Sequence, residues 1–453
     1  MEASLNEDIA ARETNASLKE FRKRRTLLAN REDAHKLLKK GIWLYFLLLV
    51  FEGALRKWVL PGLATPLLVV RDPLAIWLLY IAWRYDELPS NQSVLFMSVI
   101  SIFSFFTAIT LGHGSIVVAV YGVRILLFHF PLIFLIGRIF DREDVLKMGK
   151  IMLWMSIPMA FLIALQFYSP QSAFVNKGIG SDSQGGGFSG ALGYFRPPGT
   201  FSFTTGNTQF FGVVGAFIIY FWLNPTQINR ILLIASSACL LAAIPLSISR
   251  SLLFQVVLTT AFAAISIARK PKYLGRMFLA AMGIMVILAF LSRVSFFEHA
   301  IDALTSRFET ASQSEGGIQD TVGNRIFAGF FEQFQSYSLP FFGLGIGMGT
   351  NAGARLLVGT AESFLISEGE WGRLVGEMGV ILGVTAIVIR INVCVMLVKA
   401  SYKRLLQSDL LPWILISVSL QAIAQGQWAQ PTALGFATLL GGLSIASLKR
   451  RAT

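Results

Sequence analysis

The chain has 453 residues, of which 54% are hydrophobic and 14% charged, and its mean hydropathy is +0.61. An ordinary soluble domain carries about a quarter charged residues, so this composition excludes one. The formal net charge of +13 does not point to nucleic acid. All lysines except Lys57 and Lys177 fall in segments assigned to one side of a membrane, where cationic loops set topology.

Residues 1–40 are polar, with a basic cluster at Arg22-Lys23-Arg24-Arg25 and another ending at Lys39-Lys40. They read as a cytoplasmic topogenic arm, and the absence of an apolar stretch followed by a small-residue site predicts no cleaved signal peptide. Apolar runs of roughly 18–25 residues follow, each long enough to cross about 30 Å of hydrocarbon as helix. They cover Gly41–Leu60, Pro66–Trp83, Val94–Leu111, Ile116–Ile136, Lys150–Tyr168, Thr208–Leu223, Ile231–Ser247, Leu252–Ala268, Leu274–Leu291, Trp371–Val398, Leu411–Gln427 and Pro431–Leu448. Lipid offers the backbone no hydrogen bonds, so spans of this length are helices. The expected fold class is all-α, a polytopic membrane protein of about twelve transmembrane helices.

The connections bearing Arg138/Arg142/Lys147, Arg269/Lys270/Lys272/Arg276 and Lys399/Lys403/Arg404 alternate onto one side with both termini, which marks the cytoplasm. The membrane domain is 41–448, and 449–453 form a cytoplasmic tail. Two outward connections are long: 169–207, rich in Gly and Ser, and 292–370, a large periplasmic loop between helices 9 and 10. Amphipathic stretches Phe297–Phe308 and Gly323–Phe334 in the latter read as helices lying over the bundle.

Cys239 and Cys394 sit within predicted helices, and His35, His113, His129 and His299 are far apart in sequence, so neither a metal site nor a cofactor is expected. The cations of the large loop are all arginine: Arg293, Arg307, Arg325 and Arg355. A guanidinium fork grips phosphate oxygens bidentately; the plainer reading pairs these groups with Glu298, Asp302 and Glu309. Arginines at bilayer depth are costlier and face a partner or a polar cavity. Arg124 lies mid-helix, Arg71 has a neighbouring acid in Asp72, and Arg250 follows a very short outer turn without an adjacent acid. The glycines at 343, 345, 347 and 349 lack the strand–helix context of a nucleotide loop and read as a turn or a close backbone approach. Carboxylates follow at Glu362, Glu368, Glu370 and Glu377, and one beside a phosphate site has the chemistry of a general base toward a sugar hydroxyl.

Several short motifs together resemble the O-antigen ligase and polymerase family of bacterial envelope-glycan enzymes. They are Phe51-Glu52-Gly53-Ala54-Leu55-Arg56-Lys57-Trp58, Arg71-Asp72-Pro73, Arg196-Pro197-x-Gly199-Thr200-Phe201, Ser247-x-Ser249-Arg250-Ser251, Gly323-Asn324-Arg325, Gly343-x-Gly345-x-Gly347 and Ala361-Glu362-Ser363-x-Leu365. The resemblance spans most of the membrane domain and leaves residues 1–40 outside. It implies a C-type glycosyltransferase-like membrane fold in the bacterial inner membrane, acting on polyprenyl (undecaprenyl) pyrophosphate-linked oligosaccharide at the periplasmic face, with a flippase and a chain-length regulator as partners and no metal. The family's phosphate-binding arginines map onto Arg250 and Arg325, with Arg196 as a further one. Arg124, Arg71 and Glu377 are supporting candidates. Lipid A–core ligases carry a His within the motif at Ala361–Leu365. This chain has Glu362 there, which favours a repeat-unit polymerase with Glu362 as base over a ligase. A twelve-helix transporter is the alternative from another class: Gly137-Arg138-Ile139-Phe140-Asp141-Arg142 faintly echoes a carrier loop motif, although Glu143-Asp144 follow where Gly and a basic residue belong.

Overall fold

The computed structural model describes residues 31–180, 182, 185, 187–268, 275, 282, 293–314, 340–359, 366–367 and 369–449. Helix α1 covers 31–54 and continues into a π-helical turn, Leu55–Val59. The short α2 (Ala64–Leu67) and α3 (Arg71–Arg84) form a pair bent by 43°. Next come α4 (Gln92–Thr110), α5 (Ile116–Arg124), a second π-helical turn at Ile125–His129, α6 (Phe130–Ile139) and α7 (Arg142–Tyr168). Strands β1 (Phe188–Ala191) and β2 (Tyr194–Arg196) precede α8 (Thr204–Leu223), α9 (Arg230–Leu246) and α10 (Arg250–Ala268). The remaining helices are α11 (Ser295–Ser314), α12 (Asn351–Val358), α13 (Glu370–Leu406), α14 (Leu411–Ala424) and α15 (Pro431–Ser447).

The described chain is thus predominantly helical. Five helical stretches are long and apolar enough to cross a membrane: α4, α5 continuing through α6, α7, α8 and α13. Counting the bent α2–α3 pair makes six, and α9, α10, α14 and α15 are shorter apolar helices. Helix α8 is apolar around its whole circumference and 83% of its apolar window is buried, so it forms the centre. It packs against α7, α9, α10, α14 and α15. Only 33% of the α4 window is buried, and Leu95, Phe96, Val99 and Phe106 point outward. Such a continuous apolar exterior suits lipid rather than water.

One end of the bundle is tied by ion pairs. Arg31 and Arg138 both grip Glu87, at 2.6 and 2.7 Å, Lys39 reaches Asp141 at 2.6 Å, and Arg142 meets Asp409 at 2.7 Å. Lys449 donates to the carbonyls of Arg138 and Phe140. The beginning and the end of the described chain therefore meet at the same end. Asp141 starts α7 with a reciprocal capping box to Asp144.

Two features depart from a purely helical expectation. Loop 169–207 contains the β1–β2 hairpin, pairing Phe188 with Arg196 and Ala191 with Tyr194. Its two-residue turn, Leu192-Gly193, holds both φ angles positive, the geometry that suits the twist of tight hairpins. Helix α13 is broken at Gly379 (φ 77°), where a Cβ would collide with the carbonyl oxygen of Phe341. The glycine-rich segment 343–349 fills this break. The N–H groups of Leu344 and Gly345 donate to the carbonyls of Gly376 and Glu377 at 2.8 and 2.9 Å, so the freed carbonyls stay satisfied. The glycines act here as a close backbone approach, one of the two expected readings.

The predicted amphipathic stretch Phe297–Phe308 lies within α11, which packs on α9, α10 and β1. The stretch Gly323–Phe334, and the predicted span Leu274–Leu291 apart from Gly275 and Met282, lie outside the described residues.

Candidate functional site

Three helix irregularities converge on one buried charge cluster: the two π-helical turns and the bend between α2 and α3. A π turn inserts a residue and redirects the side chains that follow, and such turns gather at functional sites. The first turn supplies Arg56 and Lys57, the bend supplies Arg71 and Asp72, and the second is flanked by Arg124 and ends on His129. Glu52, one helical turn before Arg56, completes the set.

Arg56 Nη1 lies 3.2 Å from Glu52 Oε1 and donates to Ser202 Oγ at 2.9 Å, while its Nε donates to the Ala64 carbonyl at 2.8 Å. Arg71 Nη2 shares Glu52, at 3.3 Å from Oε2, and donates to the Pro431 carbonyl at 2.5 Å. Arg124 Nη1 contacts both oxygens of Asp72, at 2.7 and 2.8 Å, and its guanidinium stacks on Tyr121 at 3.9 Å. His129 Nε2 sits 2.8 Å from Asp72 Oδ1, and its Nδ1 3.0 Å from the Tyr45 hydroxyl. Lys57 Nζ donates to the carbonyls of Gly199 and Phe201, at 2.8 and 2.9 Å.

Among the described residues, three guanidinium groups thus meet two carboxylates, while the Lys57 ammonium is held by two backbone carbonyls. Arg71 and Arg124 are 3% and 5% exposed, and Nε and Nη1 of the first and Nε and Nη2 of the second have no hydrogen-bond partner among the described residues. An unpaired buried polar group costs about 1–3 kcal/mol, and more when charged. Surplus charge and idle donors are together what an anion would satisfy.

Loop 169–207 folds onto this cluster. Gly53 lets α1 approach it so closely that a Cβ would collide with the backbone of Phe201 and Ser202. Thr200 donates to the Val50 carbonyl at 2.7 Å, and Gln166 pins Gly199, accepting from its N–H at 2.8 Å. The motifs at 51–58, 71–73 and 196–201, far apart in sequence, are therefore one assembly.

Arg196 ends β2 and Arg250 begins α10, both half-buried. The turn before Arg250 leans on the hairpin, since the Ile248 side chain fills the space a Cβ of Gly190 would enter, and Ser249 Oγ lies 3.0 Å from Thr208 Oγ1. Ile248 is fully buried at φ 47°, a left-handed conformation strained for a β-branched residue. Strain of this kind, about 1–3 kcal/mol, is concentrated at functional positions. Arg325 and Glu362 lie outside the described residues.

Glu377 belongs elsewhere. Its Oε1 accepts from the Gly349 N–H at 2.8 Å and its Oε2 meets Arg373 at 2.5 Å. Arg373 forks onto Glu370 (2.9 and 3.0 Å), which also binds Arg390 at 2.6 Å and the Trp428 N–H at 3.1 Å. Arg390 stacks on the Trp428 ring at 3.8 Å and donates to the carbonyls of Ile423 and Gly426. Two arginines face two glutamates here, so Glu377 holds structure.

Arg71 also differs from expectation: it pairs with Glu52 rather than its neighbour Asp72, which turns instead to Arg124 and His129. Arg56, Glu52 and His129 carried no assigned role in the sequence reading. The available signal was the Glu52/Arg56 spacing of four inside an apolar run, which places both on one helix face. Among the described residues, no group of three or more His, Cys, Asp or Glu is placed to hold a metal ion. No family model matches the chain and no curated protein matches it.

Proposed function

We propose that this chain is a membrane glycosyltransferase that joins polyprenyl-pyrophosphate-linked oligosaccharide repeats, akin to the O-antigen polymerase and ligase family. In this reading it has about twelve spans in a bacterial inner membrane, with both termini cytoplasmic and the hairpin loop and the large loop before α13 facing the periplasm. The observation that carries the reading is the surplus of buried guanidinium beneath loop 169–207, with donors left idle on Arg71 and Arg124. A lipid diphosphate brings the missing negative charge and reaches this depth from the headgroup layer.

In the reaction, a sugar hydroxyl of the acceptor repeat attacks the anomeric carbon of the donor glycan and breaks its bond to the diphosphate oxygen. The hydroxyl proton goes to Glu362, and the departing diphosphate keeps the bonding electron pair. Arg250, Arg196 and Arg325 hold the diphosphate from the loop side, Arg71 and Arg124 from within the bundle. A direct attack inverts the anomeric carbon. Preplaced donors aimed at developing charge are effective because they need no reorganisation during the step.

The test is to incubate purified protein with lipid-linked repeats and resolve the products by length on a gel. Polymer ladders support polymerisation; transfer of preformed glycan to another acceptor without lengthening selects ligation. Arg250→Ala is expected to lower elongation about 10²–10³-fold, and wild-type rates in correctly folded Arg250→Ala and Glu362→Gln proteins would remove the clamp and the base.

The Tyr45–His129–Asp72 chain favours one further reading, proton-linked transport, because intramembrane His–carboxylate chains serve proton relays. Counterflow of a soluble solute in proteoliposomes, without glycan lengthening, would select it.

A further inference from the structure

The strap that joins β2 to α8, residues 197–203, is fastened from two other helices. Gly199 stands at φ 63° and is gripped at both of its backbone polar groups. Its N–H donates to Gln166 Oε1 at 2.8 Å, and its carbonyl accepts from Gln166 Nε2 at 3.3 Å and from Lys57 Nζ at 2.8 Å. Lys57 Nζ also reaches the Phe201 carbonyl at 2.9 Å. On the next residue, Ser202 Oγ accepts from Arg56 Nη1 at 2.9 Å, and Arg56 shares Glu52 with Arg71. One unbroken path of contacts therefore runs from Gln166 and Lys57, through the strap, into the guanidinium cluster.

Both fastening side chains are costly where they stand. Gln166 and Lys57 are 2% and 1% exposed, and a buried polar group is tolerated only when it is hydrogen-bonded. Gln166 spends its remaining capacity on the same loop, donating to the Val175 carbonyl at 2.9 Å. Two carbonyls that converge on one point need a donor with more than one N–H, which a hydroxyl lacks. Lys57 meets that need and packs its Nζ 4.7 Å from the centre of the Trp58 ring. It also brings a positive charge that the two carbonyls only partly offset. A tie that merely held the loop could be built from neutral groups. Beside an anion site the extra charge is useful, because it raises the field that draws the anion in.

We infer that Lys57 and Gln166 are positioning residues for the guanidinium cluster. They fix the strap so that Ser202 orients Arg56, and with it the Glu52 carboxylate shared with Arg71, toward a lipid diphosphate. What the cluster binds follows the glycan-transfer reading above; how the strap is fastened does not depend on it. A displacement of about 1 Å caused far from the chemistry can cost about 10²-fold in rate, so residues that touch no substrate can still govern turnover.

Full-length protein in lipid nanodiscs is compared as wild type, Lys57→Met, Gln166→Met, Ser202→Ala and the Lys57→Met/Ser202→Ala double variant. Hydrogen exchange without substrate tests the fastening. The amides of residues 199–202 are expected to exchange roughly fivefold faster in Lys57→Met and in Gln166→Met, the worth of one lost hydrogen bond. Elongation of lipid-linked repeats per folded molecule tests the positioning. Lys57→Met is expected to lower kcat about 10²-fold and Ser202→Ala about tenfold, with KM changed less than about threefold because Arg71 and Arg124 still hold the diphosphate. The double variant should lose about 10²-fold rather than about 10³-fold, since both residues act along one path. Unchanged exchange in the strap overturns the fastening. Additive losses, or a wild-type kcat per folded molecule in Lys57→Met, overturn the positioning role. A wild type that elongates nothing, while strap exchange still depends on Lys57, counts instead against glycan transfer and reduces Lys57 to a structural tie.

Discussion

Among the described residues, two charge clusters are buried in this helical bundle, and they are built on opposite principles. Around Glu370, two arginines face two glutamates, and the stacked Trp428 ring, two backbone carbonyls and two backbone N–H groups complete the bonding. Around Glu52 and Asp72, three arginines face two carboxylates, and four guanidinium nitrogens have no hydrogen-bond partner among the described residues. Taking charge out of water costs several kcal/mol per ion unless partners restore it. The first cluster restores it internally and so is finished as a structural tie. The second is left incomplete, in the manner of a site awaiting a ligand.

The largest expected effect tests the closed cluster. Glu370→Gln removes the shared acceptor of Arg373 and Arg390 and is expected to cost about 3–5 kcal/mol of stability, read from denaturant or thermal unfolding. Turnover per folded molecule should hardly change. Arg124→Gln addresses the open cluster and should differ in its effect on turnover. It leaves Asp72 with His129 alone, because Arg56 and Arg71 both pair with Glu52, so stability should also fall by about 3–5 kcal/mol, while elongation per folded molecule drops about 10²–10³-fold. If Arg124→Gln spared turnover per folded molecule as Glu370→Gln is expected to, the distinction between the clusters would be gone.

A smaller effect sharpens the picture inside the open cluster. Tyr45→Phe removes the hydroxyl at His129 Nδ1 and is expected to cost about 0.5–1.5 kcal/mol. Combined with Asp72→Asn, it should be non-additive, because both residues act on one imidazole. The smallest effect belongs to the ion-paired end. Burial opposes ionisation of Glu87, but hydrogen bonds from Arg31 and Arg138 outweigh it and hold the carboxyl below its ordinary value of 4.5. With the folded value depressed, the stability it contributes is present above pH 4.5 and is lost as pH falls through that lower value. Unfolding followed from pH 6 to pH 3 should therefore show a shallower acid limb in Glu87→Gln, by no more than about 1 kcal/mol since both arginines are half-exposed.

Much of the helical layout was legible because apolar runs leave lipid-embedded backbone few alternatives. The residues Arg71, Arg124 and Arg250 also stood out, being charges where charge is costly. Their partners did not. Arg71 beside Asp72 suggests a pair along the chain, but adjacent side chains on a helix diverge by about 100°, and Glu52 from another helix takes that place. The π-helical turns were invisible too, since Leu55–Val59 and Ile125–His129 have no composition that sets them apart from regular helix. Glu377 at a predicted membrane edge looked available for chemistry. Only the folded chain shows it held by Arg373 and Gly349.

The break at Gly379 has a consequence for how the chain is made. The segment holding Leu344, Gly345 and Gly349 leaves the ribosome before α13, yet its amide groups find their acceptors on Gly376 and Glu377. Those hydrogen bonds cannot form until the following helix has been made and has bent at Gly379, so the earlier segment takes its final place only after the later one.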